Sequence, residues 1–173
     1  MPKAQDVIDM ENHADEKEYV LKQVAQKGAL LEFASEELRN DKEVVLKAIE
    51  NNPEALEFAS DALKGDRDVV YESVSQVGWT YCYAKENLLE DRELLMAGLR
   101  QTGQILYFAT KKMRADKEIV HLAVQNKGII VKYASSELKN DLEIGLAAMA
   151  QDKSCYPFLG ADLKENEEIK KLL

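Results

Sequence analysis

Proline and glycine are scarce in this sequence, with three and eight residues respectively in a chain of 173. Both interrupt regular secondary structure, so their scarcity, together with abundant Ala, Leu, Glu and Lys, favours helix over sheet. No apolar stretch approaches the length of a membrane span, and the first fifteen residues lack the basic segment and apolar run of a secretory signal. The sequence therefore predicts a soluble, helical chain with no membrane association and no conventional export signal.

Cysteine is almost absent as well. The two cysteines, Cys82 and Cys155, lie far apart in the chain and without paired spacing. This pattern is typical of reduced thiols that are buried as small hydrophobic side chains. We therefore expect a reducing, cytoplasmic location, while delivery into a host cell by an unconventional route stays open.

Positive charge is the third shortage. The 23 Lys and Arg residues face 32 Asp and Glu residues, which gives a formal net charge of -9 at pH 7. Nonspecific binding to nucleic acid or to an anionic membrane depends on clustered Lys and Arg. The balance therefore argues against nucleic acid and membrane as partners, and it predicts a partner that is basic or neutral.

What the sequence does contain is repeats. The phrase "LEFAS" occurs at 31–35 and again at 56–60, and "KYAS" occurs at 132–135. Aligned on this phrase, the chain divides into six ungapped repeats of 25 residues each. Repeats one to six are 16–40, 41–65, 66–90, 91–115, 116–140 and 141–165.

Three recurring positions mark each repeat. The cap position, which opens each repeat, holds Glu16, Asp41, Asp66, Asp91, Asp116 and Asp141. The glycine position, near the middle, holds Gly28, Pro53, Gly78, Gly103, Gly128 and Lys153. The ring position is always aromatic and holds Phe33, Phe58, Tyr83, Phe108, Tyr133 and Phe158.

Each repeat is predicted to form two short helices. In repeat two, Val44, Val45, Ala48 and Ile49 form one apolar stripe at helical spacing. The acid at the cap position lies at the positive end of the helix dipole, so helix capping already explains its recurrence. Gly or Pro at the glycine position then ends the first helix and begins the second.

The second helix is predicted to bury Leu56, Ala59 and Leu63, and their counterparts in every repeat. A small Ala follows the ring position in five repeats, which would let neighbouring helices approach closely. We therefore expect the ring itself to fill the core between hairpins.

A hairpin of this size cannot bury its apolar face alone, so the predicted fold is an all-α, α/α solenoid of six 25-residue helix-turn-helix repeats. Residues 1–15 are expected to form an N-terminal cap or tail, and residues 166–173 a partial seventh repeat as a C-terminal cap. A leucine-rich repeat has a compatible period, but the Asn-marked leucine ladder is absent and helix formers dominate both halves. In repeat six, Pro157 and Gly160 argue against a regular second helix.

The segments "NDKEVVLKAIENNPEALEFASDALKGD" and "ADKEIVHLAVQNKGIIVKYASSELKND" resemble the repeat known as domain of unknown function 4116. The resemblance covers residues 16–165. It implies an α-helical array found in bacterial proteins, and it brings no catalytic residues. The motif is specific for the repeat and carries no information about activity.

Three patterns could indicate chemistry. Cys82 and His121 could form a thiol nucleophile and its base, but they fall two repeats apart, beyond hydrogen-bond reach for stacked hairpins. Acid pairs such as Asp66 with Asp68 could bind a metal, but the calcium-loop spacing is missing and helix capping explains them. The basic run "KKMR" at 111–114 is typical of a solvated helix end. The sequence therefore predicts a non-enzymatic protein without cofactor or metal.

The variable positions supply the remaining signal. Large and mixed side chains occupy places where other repeats hold smaller or charged ones, and they are of the types that binding surfaces favour. The candidate partner-binding residues are Tyr71, Trp79, Met96, Tyr107 and His121. We expect an interaction scaffold for a protein or peptide, or alternatively a structural or self-assembling array without an external ligand. In either case the same side chains could instead serve packing between repeats or a dimer contact, so a monomer and a weak homodimer both remain open.

Overall fold

The computed structural model describes residues 4–173, and within this range every regular element is helical and no strand is present. The first three residues of the predicted N-terminal cap lie outside the described residues. The chain forms two compact units, Met1–Leu88 and Leu89–Leu173. The first contains repeats one to three and the second contains repeats four to six, apart from the last two residues of repeat three. The all-α solenoid class predicted from the repeats is confirmed.

Each repeat opens with a regular α-helix that begins one residue after the cap position. These first helices are Lys17–Gln26, Lys42–Asn51, Arg67–Gln76, Arg92–Leu99, Lys117–Asn126 and Leu142–Gln151. A helix at Ala4–Asn12 precedes repeat one and buries Met10 completely, and a short helix at Glu167–Lys170 follows repeat six and buries Ile169. The aspartates at the cap position accept hydrogen bonds from the first backbone N–H groups of the helix, as the sequence predicts.

The second half of each repeat is divided in two, where the sequence predicts one helix. A 3₁₀ helix comes first, at Gly28–Phe33, Pro53–Phe58, Gly78–Tyr83, Gly103–Phe108, Gly128–Tyr133 and Lys153–Phe158. A short helical turn follows, at Glu36–Arg39, Asp61–Lys64, Glu86–Leu88, Met113–Ala115, Ser136–Lys139 and Ala161–Lys164. Both segments also form in repeat six, despite Pro157 and Gly160.

In repeats one, two and five, the Ala-Ser pair after the ring position accounts for this division. In repeat two, Ala59 has φ −64° and ψ 158°, which is extended backbone, and the 3₁₀ helix ends there. The hydroxyl of Ser60 then accepts a hydrogen bond from the backbone N–H of Leu63 at 3.2 Å and starts the short helix. Serine competes for backbone hydrogen bonds in this way, so it begins a new helix more readily than it continues one.

The ring position is not in the core, contrary to the sequence prediction. All six rings are half-buried or exposed, and Phe158 is 40% exposed. In the first five repeats, the buried side chains of each 3₁₀ helix lie two and three residues earlier instead, the former being Leu31, Leu56, Tyr81, Leu106 and Val131. The predicted burial of Leu56, Ala59 and Leu63 is confirmed, but among their counterparts in the other repeats Ala84 and Tyr156 are only half-buried.

Glycine at this position is explained by packing as well as by its ability to end a helix. A Cβ atom on Gly28 would lie 2.3 Å from the carbonyl oxygen of Ala48, in the first helix of the next repeat. Gly128 stands in the same relation to Ala148, again at 2.3 Å. Real Cβ atoms do not approach a backbone oxygen this closely, so repeats two and six can pack this tightly against Gly28 and Gly128 only because these residues lack a Cβ.

Backbone hydrogen bonds also join consecutive repeats within each unit. In the first unit the N–H of Ser60 donates to the carbonyl of Arg39 at 2.9 Å. In the second unit the N–H of Ser135 donates to the carbonyl of Arg114 at 2.9 Å. The end of one short helix is therefore fixed against the beginning of the next. Across residues 4–173, no helix combines the length and the apolar character needed to cross a membrane.

Candidate interaction surface

A ladder of ion pairs runs along the first helices of the first unit. Each rung joins the cation that follows the cap position to two acids of the next repeat, the cap residue and the acid two places after it. Lys17 Nζ lies 2.7 Å from Asp41 Oδ2 and 2.8 Å from Glu43 Oε2. In the next rung, Lys42 Nζ lies 2.8 Å from Asp66 Oδ2 and 3.7 Å from Asp68 Oδ2.

The second unit has equivalent rungs. The guanidinium of Arg92 contacts Asp116 at 3.1 Å and also binds Glu118. Lys117 Nζ lies 2.8 Å from both Asp141 Oδ2 and Glu143 Oε2. Repeat six holds Leu142 where the earlier repeats hold this cation, so the side chain that would form a further rung is absent.

The rungs lower the pKa of the capping aspartates. The hydrogen bond from Lys17 is the main cause of the lowered pKa of Asp41, and the hydrogen bonds from its own helix add to it. Lys42 lowers the pKa of Asp66 in the same way. Because Asp66 already receives a lysine and two backbone N–H groups, its carboxylate is a structural group. Among residues 4–173, no group of three or more His, Cys, Asp or Glu side chains could hold a metal ion.

Three of the five candidate residues lie on the first helices, at one equivalent position. Tyr71 is 41% exposed, and the Arg67 guanidinium lies 5.8 Å from the centre of its ring. In the second unit, the Arg92 guanidinium donates to the Sδ atom of Met96 at 3.1 Å. His121 Nε2 lies 3.9 Å from Glu143 Oε1. These side chains therefore border the rungs.

The other two candidates, Trp79 and Tyr107, lie on 3₁₀ helices. Trp79 is 41% exposed and Tyr107 is 57% exposed. The ring of Tyr107 meets those of Phe108 and Tyr133 edge to face, with centroids 5.0 and 5.1 Å apart. No hydrogen bond or ring contact within the described chain joins Tyr107 to Met96 or His121. In the second unit, the candidate partner-binding residues are thus divided between first helices and a 3₁₀ helix.

The structure adds residues that the sequence interpretation missed. Tyr133 and Phe158, at the ring position, continue from Tyr107, and Lys132 lies between them with its Nζ 4.8 Å from the Tyr133 centroid and 6.0 Å from that of Phe158. We call Tyr107, Lys132, Tyr133 and Phe158 the ring row. The mixed residues just before the ring position, Glu, Cys, Tyr, Lys and Pro in different repeats, are the sequence signal that could have indicated a surface.

The first unit has an acidic surface at the equivalent place. An open depression of about 480 Å³ there is lined by Arg39, Glu57, Phe58, Asp61 and Lys64, among others. The hydroxyl of Tyr83 donates to Glu57 at 3.1 Å, and burial together with this carboxylate raises the pKa of Tyr83 to about 12. In the first unit, a ring-position residue, Phe58, thus lines an open depression.

The thiols do not have the character of nucleophiles. Cys82 is half-buried, and burial raises the pKa of its thiol, as does the nearby charge of Glu57. Cys155 is fully buried, and burial raises its pKa to about 11. Catalytic cysteines need the opposite shift, because the thiolate is the reactive form. The geometry thus gives no support to the hypothesis that Cys82 and His121 form a catalytic pair.

These features define a tandem helical-repeat protein whose repeats are joined by caps, ion pairs and close backbone contacts. Three segments, 16–64, 66–114 and 116–164, match the family described as Domain of unknown function (DUF4116). The chain belongs to this family, and each matched segment spans two of the repeats defined above. No curated protein and no solved structure matches the chain.

Proposed function

We propose that this chain is a non-enzymatic interaction scaffold that binds a protein or peptide partner through the surface of its 3₁₀ helices. The observation that carries this proposal is the ring row, in which Tyr107 is 57% exposed and Phe158 is 40% exposed. Large aromatic side chains are costly to leave in water, and clustered exposed apolar groups mark interaction sites. Aromatic residues also supply most of the binding energy at typical interfaces.

The charged and nucleophilic groups support a non-enzymatic role. The cap residues Asp41, Asp66, Asp116 and Asp141 are occupied by backbone N–H groups and by the cations of the rungs. The pKa of both thiols is raised, so the reactive thiolate is disfavoured at neutral pH. What varies freely from repeat to repeat is the surface of the 3₁₀ helices, which is where a scaffold would encode its partner.

A peptide-display selection against the purified chain tests the proposal. We expect enriched peptides whose binding falls at least about tenfold when Tyr107→Ala and Phe158→Ala are combined, because the two rings would be central anchors. Gln104→Ala is the matched control, since Gln104 is an exposed residue of the same 3₁₀ helix as Tyr107. Far-UV circular dichroism establishes that each variant is folded.

Two results would contradict the proposal. One is a selection that enriches no peptide above an unrelated helical control protein. The other is a set of enriched peptides that bind the double variant as tightly as the wild type, which would remove the ring row from the binding surface. In parallel, light scattering over a range of protein concentrations tests the alternative of a self-assembling array. Growth of the particle mass with concentration would favour that array.

A further inference from the structure

The second halves of repeats four to six have a charge opposite to that of the chain. Segments 103–114, 128–139 and 153–164 carry seven Lys and Arg residues and two carboxylates, Glu137 and Asp162, in a protein with a formal net charge of -9. In the first unit, segments 28–39, 53–64 and 78–88 carry three cations and seven carboxylates. The equivalent surfaces of the two units are thus opposite in charge.

Most of the cations on the basic surface have no internal counterion. Within residues 4–173, Lys111, Arg114, Lys132 and Lys139 make no ion pair with a carboxylate, whereas Lys112 pairs with Glu90 at 3.2 Å. The cations Arg92 and Lys117 of the same unit each bind two acids of the next repeat. The charge that stabilises the fold is therefore compensated, and the charge beside the ring row is not.

Three of the four uncompensated cations belong to the ring row or to the short-helix ends that contact the segment just after it. Lys132 belongs to the row itself, between Tyr133 and Phe158. The carbonyl of Arg114 accepts the N–H of Ser135 at 2.9 Å, two residues beyond Tyr133, and the carbonyl of Lys139 accepts the N–H of Gly160 at 2.8 Å. The basic end of each short helix is thus anchored just beyond the ring of the following repeat. Aromatic rings and basic short-helix ends therefore alternate along the stacked repeats of the second unit.

We infer that the ring row and the cations beside it bind an acidic peptide segment that also carries apolar side chains. Carboxylates of the peptide would pair with Lys111, Arg114, Lys132 and Lys139, while its apolar side chains would cover Tyr107 and Phe158. The inference rests on the proposed function and specifies its partner. The net charge of the whole chain predicts a basic or neutral partner, but the local charge at this surface favours an acidic one.

The arrangement of the rings favours a peptide over single-stranded nucleic acid. Bases bind by stacking on open aromatic faces. In the ring row, Tyr107 and Tyr133 meet edge to face at 64°, and Lys132 lies over Tyr133 and Phe158. Cation–π contacts of this kind occupy the faces that a base would need.

Fluorescence anisotropy with three matched peptides tests this inference on the full chain. The peptides have about twelve residues, enough in extended form to follow a row across three stacked repeats. They share the same apolar residues and differ only in having Glu, Gln or Lys at the positions between. We expect the Glu peptide to bind at least about tenfold more tightly than the Gln peptide and the Lys peptide to bind most weakly.

Charge-removing variants locate the site. Lys132→Gln with Lys139→Gln should weaken the Glu peptide about tenfold and leave the Gln peptide within about twofold, because only charged contacts are lost. The control is Lys22→Gln with Lys47→Gln, which removes the same charge from first helices of the other unit and should change neither affinity. Lys132→Arg keeps the charge and should keep the binding, which separates loss of charge from a folding defect.

The outcomes distinguish this inference from the proposed function. If the Lys or the Gln peptide binds best and its binding still depends on Tyr107, the inference of an acidic partner is wrong, while the proposed scaffold function stands. If no peptide binds and the display selection enriches none, the scaffold fails as well. Tighter binding of a single-stranded oligothymidylate than of the Glu peptide would overturn the inference in favour of nucleic acid. Salt-sensitive self-association in sedimentation experiments, abolished by Lys132→Gln, would assign the surface to a second molecule of this chain.

Discussion

The Nζ atom of Lys17 lies 2.7 Å from Oδ2 of Asp41, while Oδ1 of the same carboxylate accepts the backbone N–H groups of Glu43 and Val44. One carboxylate thus begins the first helix of repeat two and joins that helix to repeat one. The same arrangement recurs at Asp66 and Asp141. The stability of a repeat protein depends on the structure of each repeat and on contacts between neighbouring repeats. The carboxylate at the cap position contributes to both.

A double-mutant cycle on Lys117→Met and Asp141→Asn measures the energy of the ion pair separately from that of the helix cap. Asn removes the charge but still caps a helix. We expect a small favourable coupling energy in urea denaturation, since both side chains are partly exposed to solvent, and we expect it to fall as salt is added. Asp141→Ala should cost about 1 kcal/mol more than Asp141→Asn, because the cap is lost too. Lys111→Met is the control, since Lys111 has no ion pair in the described chain. A coupling that salt does not reduce would count against the rung.

The lowered pKa values of Asp41 and Asp66 predict how stability depends on pH. Both groups have a lower pKa in the folded chain than their ordinary value of about 3.9, so the unfolded chain binds more protons as the pH falls. Their contribution is fully present above about pH 5 and is lost as the pH falls through the lower, folded values. Urea titrations from neutral pH to about pH 3 should show a shallower loss in an Asp41→Asn, Asp66→Asn variant than in the wild type. Parallel curves for the two proteins would contradict this.

Gly128→Ala tests the close contact between repeats five and six. A Cβ there would lie 2.3 Å from the carbonyl oxygen of Ala148, a backbone atom that can move only with its helix. We expect a loss of about 1–3 kcal/mol in urea denaturation, as for an overpacked core. Gly65→Ala is the control: the nearest atom to its Cβ is a side-chain oxygen of Asn87, at 3.1 Å, and repeat four already holds Ala115 at this position. The control should change stability by less than about 0.5 kcal/mol.

Leu106→Ala and Phe108→Ala compare the buried position of the 3₁₀ helix with the ring position. Leu106 is fully buried, so its truncation should cost about 2–5 kcal/mol through lost burial and a cavity. Phe108 is half-buried and keeps much of its surface in water, so its truncation should cost about 1–2 kcal/mol. Urea melts of both variants check the order. A larger loss for Phe108→Ala would restore the ring to the core, where the sequence pattern places it.

The sequence predicts the fold class and the first helices well, because both depend on local signals. The stripe of Val44, Val45, Ala48 and Ile49 and the capping acid Asp41 lie within one short segment, and the repeated period supplies six independent instances. The division of the second half is harder to predict. Helix propensity alone allows Ala59 and Ser60 to continue a helix, and the competing cap at Ser60 decides the outcome.

The surface could be predicted only in part, because its features depend on the register in which repeats stack. The apolar pattern treats a half-buried ring such as Tyr133 in the same way as a buried Val131. Lys117 and Asp141 are 24 residues apart, and their pairing follows from the alignment of two helices that the linear sequence does not show. Net charge likewise hides the local excess of cations near Lys132, since an average over the chain has no spatial information.

The two thiols should differ in reactivity, because their surroundings differ. Burial raises the pKa of Cys155 to about 11, and its side chain is fully enclosed, whereas Cys82 is half-buried, with a pKa that burial also raises. A disulfide reagent that reacts with thiolates should therefore modify Cys82 slowly in the native protein at about pH 8 and reach Cys155 only when the chain opens. We expect one modified thiol per folded molecule and two in denaturant, counted by mass spectrometry. Cys82→Ser should abolish the native reaction, while the control Cys155→Ser should retain it. Faster native modification of Cys155 than of Cys82 would show that repeat six opens locally or packs less closely than the structure indicates.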